Sequence, residues 1–270
     1  MSAASRRRNA PALAPATVSE FDGVRYLHLG TPWVQGAMRI RTPKAIELEY
    51  VQRMMAWMLW RPSEALRDGL AVQLGLGAAS ITRFCHAVLR MQTTAVEINP
   101  SVIGMCRQWF HLPADDRRLT VVEDDAARWV ADPAHLQTVQ VLCVDLYDHD
   151  AAAPVLDDEA FYRACLGVLV DGGGAGGTGE GGLMTVNLFG RDASFEASVQ
   201  RIASVFGAAQ VWNLRPTKEG NTVVVAARGG ALPDRATLAA RAEDIEVRFG
   251  LPARKWLRMV RPYREAASTP

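Results

Sequence analysis

Short apolar runs alternate with stretches of helical periodicity between residues 70 and 189. Five of these runs have the length of a strand, and they cover residues 70–76, 93–98, 119–124, 139–147 and 183–189. Strands that are almost entirely apolar and are separated by helices are typical of a parallel sheet covered on both faces. The pattern therefore predicts an α/β fold with five parallel strands.

The pattern changes after the fifth run. A helical segment at residues 194–206 is followed by two strand patterns that are joined across residues 218–221. A connection this short favours an antiparallel hairpin. The ordinary dinucleotide-binding fold keeps its sixth strand parallel. We therefore expect the seven-stranded Rossmann-like sheet of S-adenosylmethionine methyltransferases, in which the last hairpin is antiparallel.

The segments before, within and after the predicted sheet indicate how the chain is divided into parts. The β-branched and aromatic residues at 24–40 predict a small strand pair, and residues 45–60 have the apolar spacing of a helix. The glycine-rich run at 171–182 predicts a flexible insertion rather than a phosphate-binding loop, because a strand follows it. We expect four parts: a disordered tail at 1–22, a small N-terminal β and helix segment at 23–61, a nucleoside-binding Rossmann-like catalytic domain at 62–230 and a C-terminal helical tail at 231–270.

Composition narrows the class of protein. The chain has 270 residues, of which 49% are hydrophobic and 22% are charged, and its formal net charge is +1. A near-neutral chain has no overall field that attracts nucleic acid or anionic membranes, and no apolar run reaches the roughly 20 residues that span a bilayer. The four cysteines are scattered without close pairs, as in reduced proteins. We expect a cytoplasmic protein with no nucleic-acid or membrane partner.

Candidate binding residues stand at the carboxyl ends of the first two strands of the predicted parallel sheet, where ligands bind in such folds. Gly75 and Gly77 follow the first of these strands, and small residues there let a ligand approach the backbone and a helix N-terminus. Glu97 lies near the end of the next strand, about 20 residues farther on, where a carboxylate can accept both hydroxyls of a ribose. Because the two features occur together, they favour a nucleoside site over a helix-capping role for Glu97.

Acidic residues also end the third and fourth strands of the predicted parallel sheet. Asp124 and Asp125 end the third, where a carboxylate can accept an adenine amino proton or cap the next helix, and both interpretations stay open. Asp145 and Asp148 lie at the end of the fourth, where clustered carboxylates attract cations and can take a proton from an ammonium or hydroxyl group. A hard metal ion would also bind carboxylates, but the sequence offers no clear set of further ligands, so we expect no metal.

Taken in order, these motifs resemble those of the spermidine synthase family of aminopropyltransferases, over residues 24–228. The sequence VEINP is similar to the family's V-E-I-D-P, DDA to its adenine motif, and VDLYD to the V-D-x-x-D that carries the reaction. FYRACLGVLVDGG is similar to the family's F-Y-x-x-x-x-x-x-L-x-x-G-G. The resemblance implies a transferase of polyamine biosynthesis that moves an aminopropyl group from an S-adenosylmethionine-derived donor to a polyamine or related amine.

For the donor, the resemblance implies that Glu97 holds the ribose and that Asp125 and Ala126 hold the adenine. The family's glycine turn reads G-G-G-D-G, and its acid holds the aminopropyl ammonium of decarboxylated S-adenosylmethionine. Ala78 stands at that position here. A carboxylate there would repel the carboxylate of ordinary S-adenosylmethionine, and alanine removes this selection. We therefore expect the co-substrate to be either decarboxylated S-adenosylmethionine or S-adenosylmethionine itself.

For the acceptor, the resemblance implies that Asp145 assists the attacking amine, that Asp148 holds the polyamine and that Tyr50 lines its channel. Ile46 and Val51 stand where the family has Asp and His. The implied partner is a small-molecule amine, and a homodimer is the assembly common in the family. Two alternatives stay open: an S-adenosylmethionine-dependent methyltransferase on the same sheet, and a nucleoside-binding protein without catalysis.

Overall fold

The structure of the chain is a computed structural model. It describes residues 13–146, 156–172, 181–189, 193–230 and 232–264. Two β-sheets organise these residues, one with three strands and one with eight.

The smaller sheet is antiparallel and lies near the N-terminus. It consists of β1 (Ala16–Phe21), β2 (Val24–Leu29) and β3 (Val34–Arg39), hydrogen-bonded in that order. The sequence predicted a disordered tail at 1–22, and for residues 16–21 that prediction was wrong. The strand forms because its whole length pairs with β2 and because the Ala16 amide donates to Ser101 Oγ at 2.9 Å. Neither contact is visible in local periodicity.

The larger sheet has the spatial order β11-β9-β10-β8-β7-β4-β5-β6. Its strands are β4 (Leu70–Leu74), β5 (Gln92–Glu97), β6 (Leu119–Glu123), β7 (Val139–Val144), β8 (Leu183–Phe189), β9 (Val211–Asn213), β10 (Asn221–Ala227) and β11 (Arg261–Pro262). Strands β4 to β8 pair in parallel, whereas β10 is antiparallel to both β8 and β9. The predicted methyltransferase-type α/β sheet is confirmed. The eighth strand, β11, was not predicted, because two residues at a sheet edge carry no periodicity.

Helices cover both faces of this sheet. They are α1 (Glu49–Met54), α2 (Ser80–Arg83), α3 (Pro100–Trp109), α4 (Ala126–Ala131), α5 (Glu159–Val168), α6 (Ala193–Phe206), α7 (Arg235–Phe249) and α8 (Ala253–Met259). Helix α1 continues as a 3-10 helix over Met55–Trp60, and α2 continues as a π-helical turn over Phe84–Leu89. An aspartate or asparagine side chain caps each of α3, α4, α5 and α7, which satisfies free amides of the first turn.

Apolar side chains pack on both faces of the larger sheet. One face lies against α1, its 3-10 continuation, α7 and α8, and it buries Trp57 and Trp256. The other face lies against α4, α5 and α6, and it buries Tyr162. Burial on both faces explains why the strands are nearly continuous apolar runs rather than alternating ones.

The smaller sheet closes over the turn that follows β4. Gly36 of β3 is so close to Ala78 that a β-carbon at residue 36 would lie 2.5 Å from the Ala78 backbone nitrogen. The Ser80 hydroxyl donates to the Ala37 carbonyl at 3.1 Å. Strand β3 therefore rests directly on the loop between β4 and α2.

We expect Gly36→Ala to destabilise the protein, because the added methyl group meets backbone atoms that cannot rotate away. Overpacking of this kind costs about 1–3 kcal/mol. Gly104→Ala in α3 is the control, since a β-carbon there meets no neighbour and alanine favours a helix by up to about 1 kcal/mol. Thermal unfolding of both variants measures the difference. Equal melting temperatures would contradict the close approach of β3.

Candidate active site

The carboxyl ends of β4 and β7 meet at the centre of the sheet, where the chain continues to opposite sides. Such a switch point leaves a crevice outside the strand ends. A β-carbon at Gly75, where φ is +81°, would lie 2.2 Å from the Asp145 carbonyl oxygen. At Gly77, where φ is +50°, it would lie 3.0 Å from the carbonyl oxygen of Gln35. The glycine turn is therefore packed against both β7 and β3.

A buried glutamine organises this turn. Gln73 Nε2 donates to the carbonyls of Gly75 and Leu76 at 2.7 and 3.1 Å. Its Oε1 accepts from the backbone amide of Thr82 at 2.9 Å, which ties the turn to α2. Gln73 was not among the predicted site residues, although a polar side chain inside an apolar strand is a signal of such a role.

A cavity of about 670 Å³ opens at these strand ends. Strands β2 and β3 and the loop between them form one wall, and the ends of the parallel strands form the opposite wall. The lining includes every predicted site residue that the structure describes: Tyr50, Gly75, Gly77, Glu97, Asp125, Ala126 and Asp145. Asp148 lies outside the described residues, so its role in polyamine binding stays a prediction.

Glu97 ends β5 with both carboxylate oxygens bonded to the backbone. Its Oε2 accepts from the Leu76 amide and its Oε1 from the Asn99 amide, each at 2.9 Å. Burial raises the pKa of Glu97, and these amide donors oppose the rise. The carboxylate is therefore fixed beside the glycine turn, where it lines the cavity.

The end of β6 contributes two aspartates with different partners. Asp125 Oδ1 accepts from the Arg128 amide at 3.0 Å and so caps α4, and the residue also lines the cavity. The capping role is thus observed, while the adenine role stays a prediction. A hydrogen bond from the Arg128 guanidinium lowers the pKa of Asp124. Ala126 is buried at the first turn of α4.

Asp145 follows β7, and two side chains in the described part of the chain donate hydrogen bonds to it. Asn187 Nδ2 donates to Oδ1 at 2.9 Å, and the Tyr50 hydroxyl donates to Oδ2 at 3.3 Å. Burial raises the pKa of Asp145 to about 6, although both donors favour the ionised form. A carboxylate with this pKa is mostly ionised at neutral pH and can exchange a proton with a nearby ligand.

Three further residues that line the cavity were not predicted from the sequence: Asn187, Asn221 and Glu219. Asn221 Nδ2 donates to Asn187 Oδ1 at 3.2 Å, so hydrogen bonds run from Asn221 through Asn187 to Asp145. Glu219 lies between β9 and β10 and lines the cavity. An asparagine inside the buried strand β8 was a signal available in the sequence. The other two depend on where the last hairpin packs.

Among the described residues, the charged side chains that line the cavity are all acidic: Glu47, Glu49, Glu97, Asp124, Asp125, Asp145 and Glu219. Three of them are paired with arginines that lie outside this lining: Glu47 with Arg39, Glu49 with Arg53 and Asp124 with Arg128. The cavity therefore has a negative lining, although the whole chain has a net charge of +1.

Ala78 stands where the resemblance places a missing acid. It is 3% exposed, it packs against Gly36, and it is not among the residues that line the cavity. A longer side chain at this position would meet β3. The charge of the cavity is therefore set by the carboxylates that do line it, and not by residue 78.

Comparison with known proteins identifies the family. A polyamine aminopropyltransferase from Chromobacterium violaceum is 30% identical over 253 residues, which are 91% of this chain and 90% of that protein. The chain belongs to the polyamine aminopropyltransferase family. A polyamine aminopropyltransferase from Neisseria meningitidis is 29% identical over 242 residues, which are 89% of this chain and 86% of that protein. No family model matches the chain.

Solved structures share the fold of this family member. A probable spermidine synthase from Corynebacterium glutamicum has a TM-score of 0.69 at 17% identity and is covered over 94% of each chain. Human methyltransferase-like protein 13, in complex with SAH, has a TM-score of 0.61 at 20% identity, over 82% of this chain and 98% of that one. At these identities the likeness concerns the fold alone.

The described ranges contain no group of three or more His, Cys, Asp and Glu side chains placed to hold a metal ion. None of the helices named above combines the length and the apolar character of a bilayer span. Residues 173–180 lie outside the described ranges, so the predicted glycine-rich insertion stays a prediction.

We expect Asp145→Asn to change the pH dependence of stability. The pKa of Asp145 is raised in the folded protein, so its stabilising contribution is present at low pH and is lost as the pH rises through about 6. Asparagine stays neutral, so the melting temperature of the variant relative to the unmodified protein should rise between about pH 4 and about pH 7 and level off above that. Glu123→Gln, at the exposed end of β6 and outside the cavity lining, is the matched control. A constant difference across this range for Asp145→Asn would contradict the buried environment of the carboxylate.

Proposed function

We propose that this protein transfers an aminopropyl group from decarboxylated S-adenosylmethionine to a small amine. The observation that carries the proposal is the charge of the cavity, whose charged lining is acidic throughout the described residues. Membership of the polyamine aminopropyltransferase family supports the same reaction class.

The charge pattern favours cationic ligands on both sides of the reaction. The decarboxylated donor carries a sulfonium and an ammonium group, and a polyamine acceptor carries ammonium groups. Ordinary S-adenosylmethionine adds a carboxylate, for which the described lining offers no cationic side chain. Two like charges about 4 Å apart repel by about 4 kcal/mol at an effective dielectric constant near 20. The lining therefore favours the decarboxylated donor by electrostatics.

The nucleoside of the donor fits the edge formed by β4, β5 and β6. Glu97, fixed by two backbone amides, would accept the ribose hydroxyls. Gly75 and Gly77 leave the turn backbone open to the ligand. Asp125 and Ala126 would hold the adenine edge at the start of α4. These roles follow from the position of each residue in the cavity together with the family motifs.

The reaction forms one bond and breaks another. The amine nitrogen attacks the carbon next to the donor's sulfur, the carbon–sulfur bond breaks, and the sulfur keeps the electron pair as methylthioadenosine leaves. Asp145 accepts the proton that the amine nitrogen loses, and its pKa of about 6 leaves it mostly ionised for that step. Tyr50 holds the carboxylate from the side of α1. Most of the rate enhancement comes from holding the two reactants in line.

Methyl transfer is a second candidate, and the glycine turn favours it. With Ala78 buried under β3, the turn offers no carboxylate to the end of the donor that is decarboxylated in aminopropyl transfer. The two reactions give different sulfur products, since methyl transfer would leave S-adenosylhomocysteine.

We expect the purified protein to release methylthioadenosine from decarboxylated S-adenosylmethionine in the presence of a diamine or triamine, with a longer polyamine as the second product. Mass spectrometry identifies both products. Asp145→Asn should lower the turnover about 10²-fold, because asparagine cannot accept the proton. If S-adenosylhomocysteine forms from S-adenosylmethionine and the decarboxylated donor does not react, the protein is a methyltransferase and the proposed aminopropyl transfer is wrong.

We expect Glu97→Gln to weaken the binding of methylthioadenosine at least about tenfold, which is about 1.4 kcal/mol. The amide keeps the side chain's shape but loses one of the two acceptors and the charge. Calorimetry measures the affinity. Glu123→Gln is the matched control, because Glu123 ends β6 directly opposite Glu97 in the sheet and is not part of the cavity lining. An equal affinity for the two variants would remove Glu97 from the nucleoside site.

A further inference from the structure

A buried asparagine connects Asp145 to the last hairpin of the sheet. Asn187 is 3% exposed and lies in β8, where the side chains from Leu183 to Leu188 are buried. Its amide lies between Asp145 and Asn221, at the amine end of the cavity in the function proposed above. Burying an amide group costs free energy unless its nitrogen and oxygen are hydrogen-bonded. In Asn187 both atoms have a hydrogen-bond partner.

The partners of this amide determine which way it points. The nitrogen Nδ2 donates to Asp145 Oδ1 at 2.9 Å, and the oxygen Oδ1 accepts from Asn221 Nδ2 at 3.2 Å. If the amide of Asn187 turned over, its oxygen would face a carboxylate oxygen and its NH2 group would face another NH2 group. Both contacts would be repulsive. Both partners therefore favour the orientation in which Asn187 donates to Asp145.

We propose that Asn187 is a positioning residue for Asp145 and that Asn221 keeps the Asn187 amide in its donating orientation. With Tyr50 bonded to Oδ2, each oxygen of Asp145 has a donor from a different element. The plane of the carboxylate is then fixed by α1 on one side and by β8 on the other. The proposal rests on the proposed function, since it assigns Asp145 to the amine that reacts.

The same contacts keep Asp145 ionised. Burial opposes the charged carboxylate, and a donor hydrogen bond favours it. Removal of the Asn187 donor therefore raises the pKa of Asp145 above its present value near 6 and leaves less carboxylate at neutral pH. Turnover then falls most at low pH, and its acidic limb moves to higher pH.

Other titratable groups surround Asp145 and are unchanged in the experiment. Cys143 precedes it on β7, and burial raises the pKa of that thiol to about 12. The cavity also presents the carboxylates of Glu47, Glu49, Glu97, Asp124, Asp125 and Glu219, and the hydroxyl of Tyr50. Since all variants keep these groups, a difference in the Asp145 pKa between variants reports the effect of the Asn187 amide.

Two readouts test the proposal on Asn187→Leu. The pH profile of kcat/KM should show its acidic limb shifted upward by about one pH unit, with methylthioadenosine affinity within about twofold of the unmodified protein. Carbon-13 NMR of labelled aspartate, with Asp145→Asn to assign the resonance, should show the same upward shift of the Asp145 pKa without any need for turnover. Asn221→Leu should shift the pKa in the same direction by a smaller amount, because it acts through Asn187.

Thr185→Val is the matched control, since Thr185 is a buried polar residue on the same face of β8, two positions before Asn187. It should leave the Asp145 pKa unchanged. An unchanged pKa in Asn187→Leu, or an equal shift in Thr185→Val, would overturn the proposal. If Asn187→Leu does not fold, the test rests on Asn221→Leu: an upward shift of the Asp145 pKa supports the proposal, and an unchanged pKa overturns it. Absence of aminopropyl transfer by the unmodified protein would reject the proposed function, and the NMR result would still test the link between Asn187 and Asp145.

Discussion

The contact between the turn after β4 and the end of β7 is the constraint on which the site depends. The two strands are neighbours in a parallel sheet, and the Asp145 amide donates to the Leu74 carbonyl at 3.0 Å. The residue after β4 is therefore pressed against the backbone of Asp145, and only glycine fits there without strain. This single close approach brings the loop that would hold the donor and the side chain that would accept the proton into one crevice.

The distribution of charge decides what that crevice can bind. Glu47, Glu49 and Asp124 line the cavity, and the arginines paired with them are not among the lining residues. Among the described residues, Asp145 accepts hydrogen bonds from the neutral side chains of Asn187 and Tyr50, and Glu97 is held by backbone amides. A protein that is nearly neutral overall thus keeps an acidic cavity. Local electrostatics of this kind favours cationic ligands over ligands that carry a carboxylate.

Strands β2 and β3 of the smaller sheet form one wall of the cavity. Their packing also bears on Ala78, which stands where the family motif has an acid. Gly36 packs on Ala78, so the position at which the family turn has an acid faces β3 here. Loss of that acid and the glycine at residue 36 are therefore parts of one packing arrangement. The lining of the cavity is therefore formed by β3 and by the strand ends, and not by the glycine turn alone.

The sequence by itself determined the five parallel strands, the final hairpin and the positions of Gly75, Glu97 and Asp145 at strand ends. These follow from periodicity and from residues next to one another in the chain, which act through local geometry. Only the tertiary structure decided that Asn187 and Asn221 reach Asp145, that β1 is ordered, and that Ala78 is covered. Each of these depends on contacts between residues far apart in sequence, with 42 positions separating Asn187 from Asp145. A local pattern cannot specify such contacts, because their geometry exists only after the strands and the smaller sheet have packed.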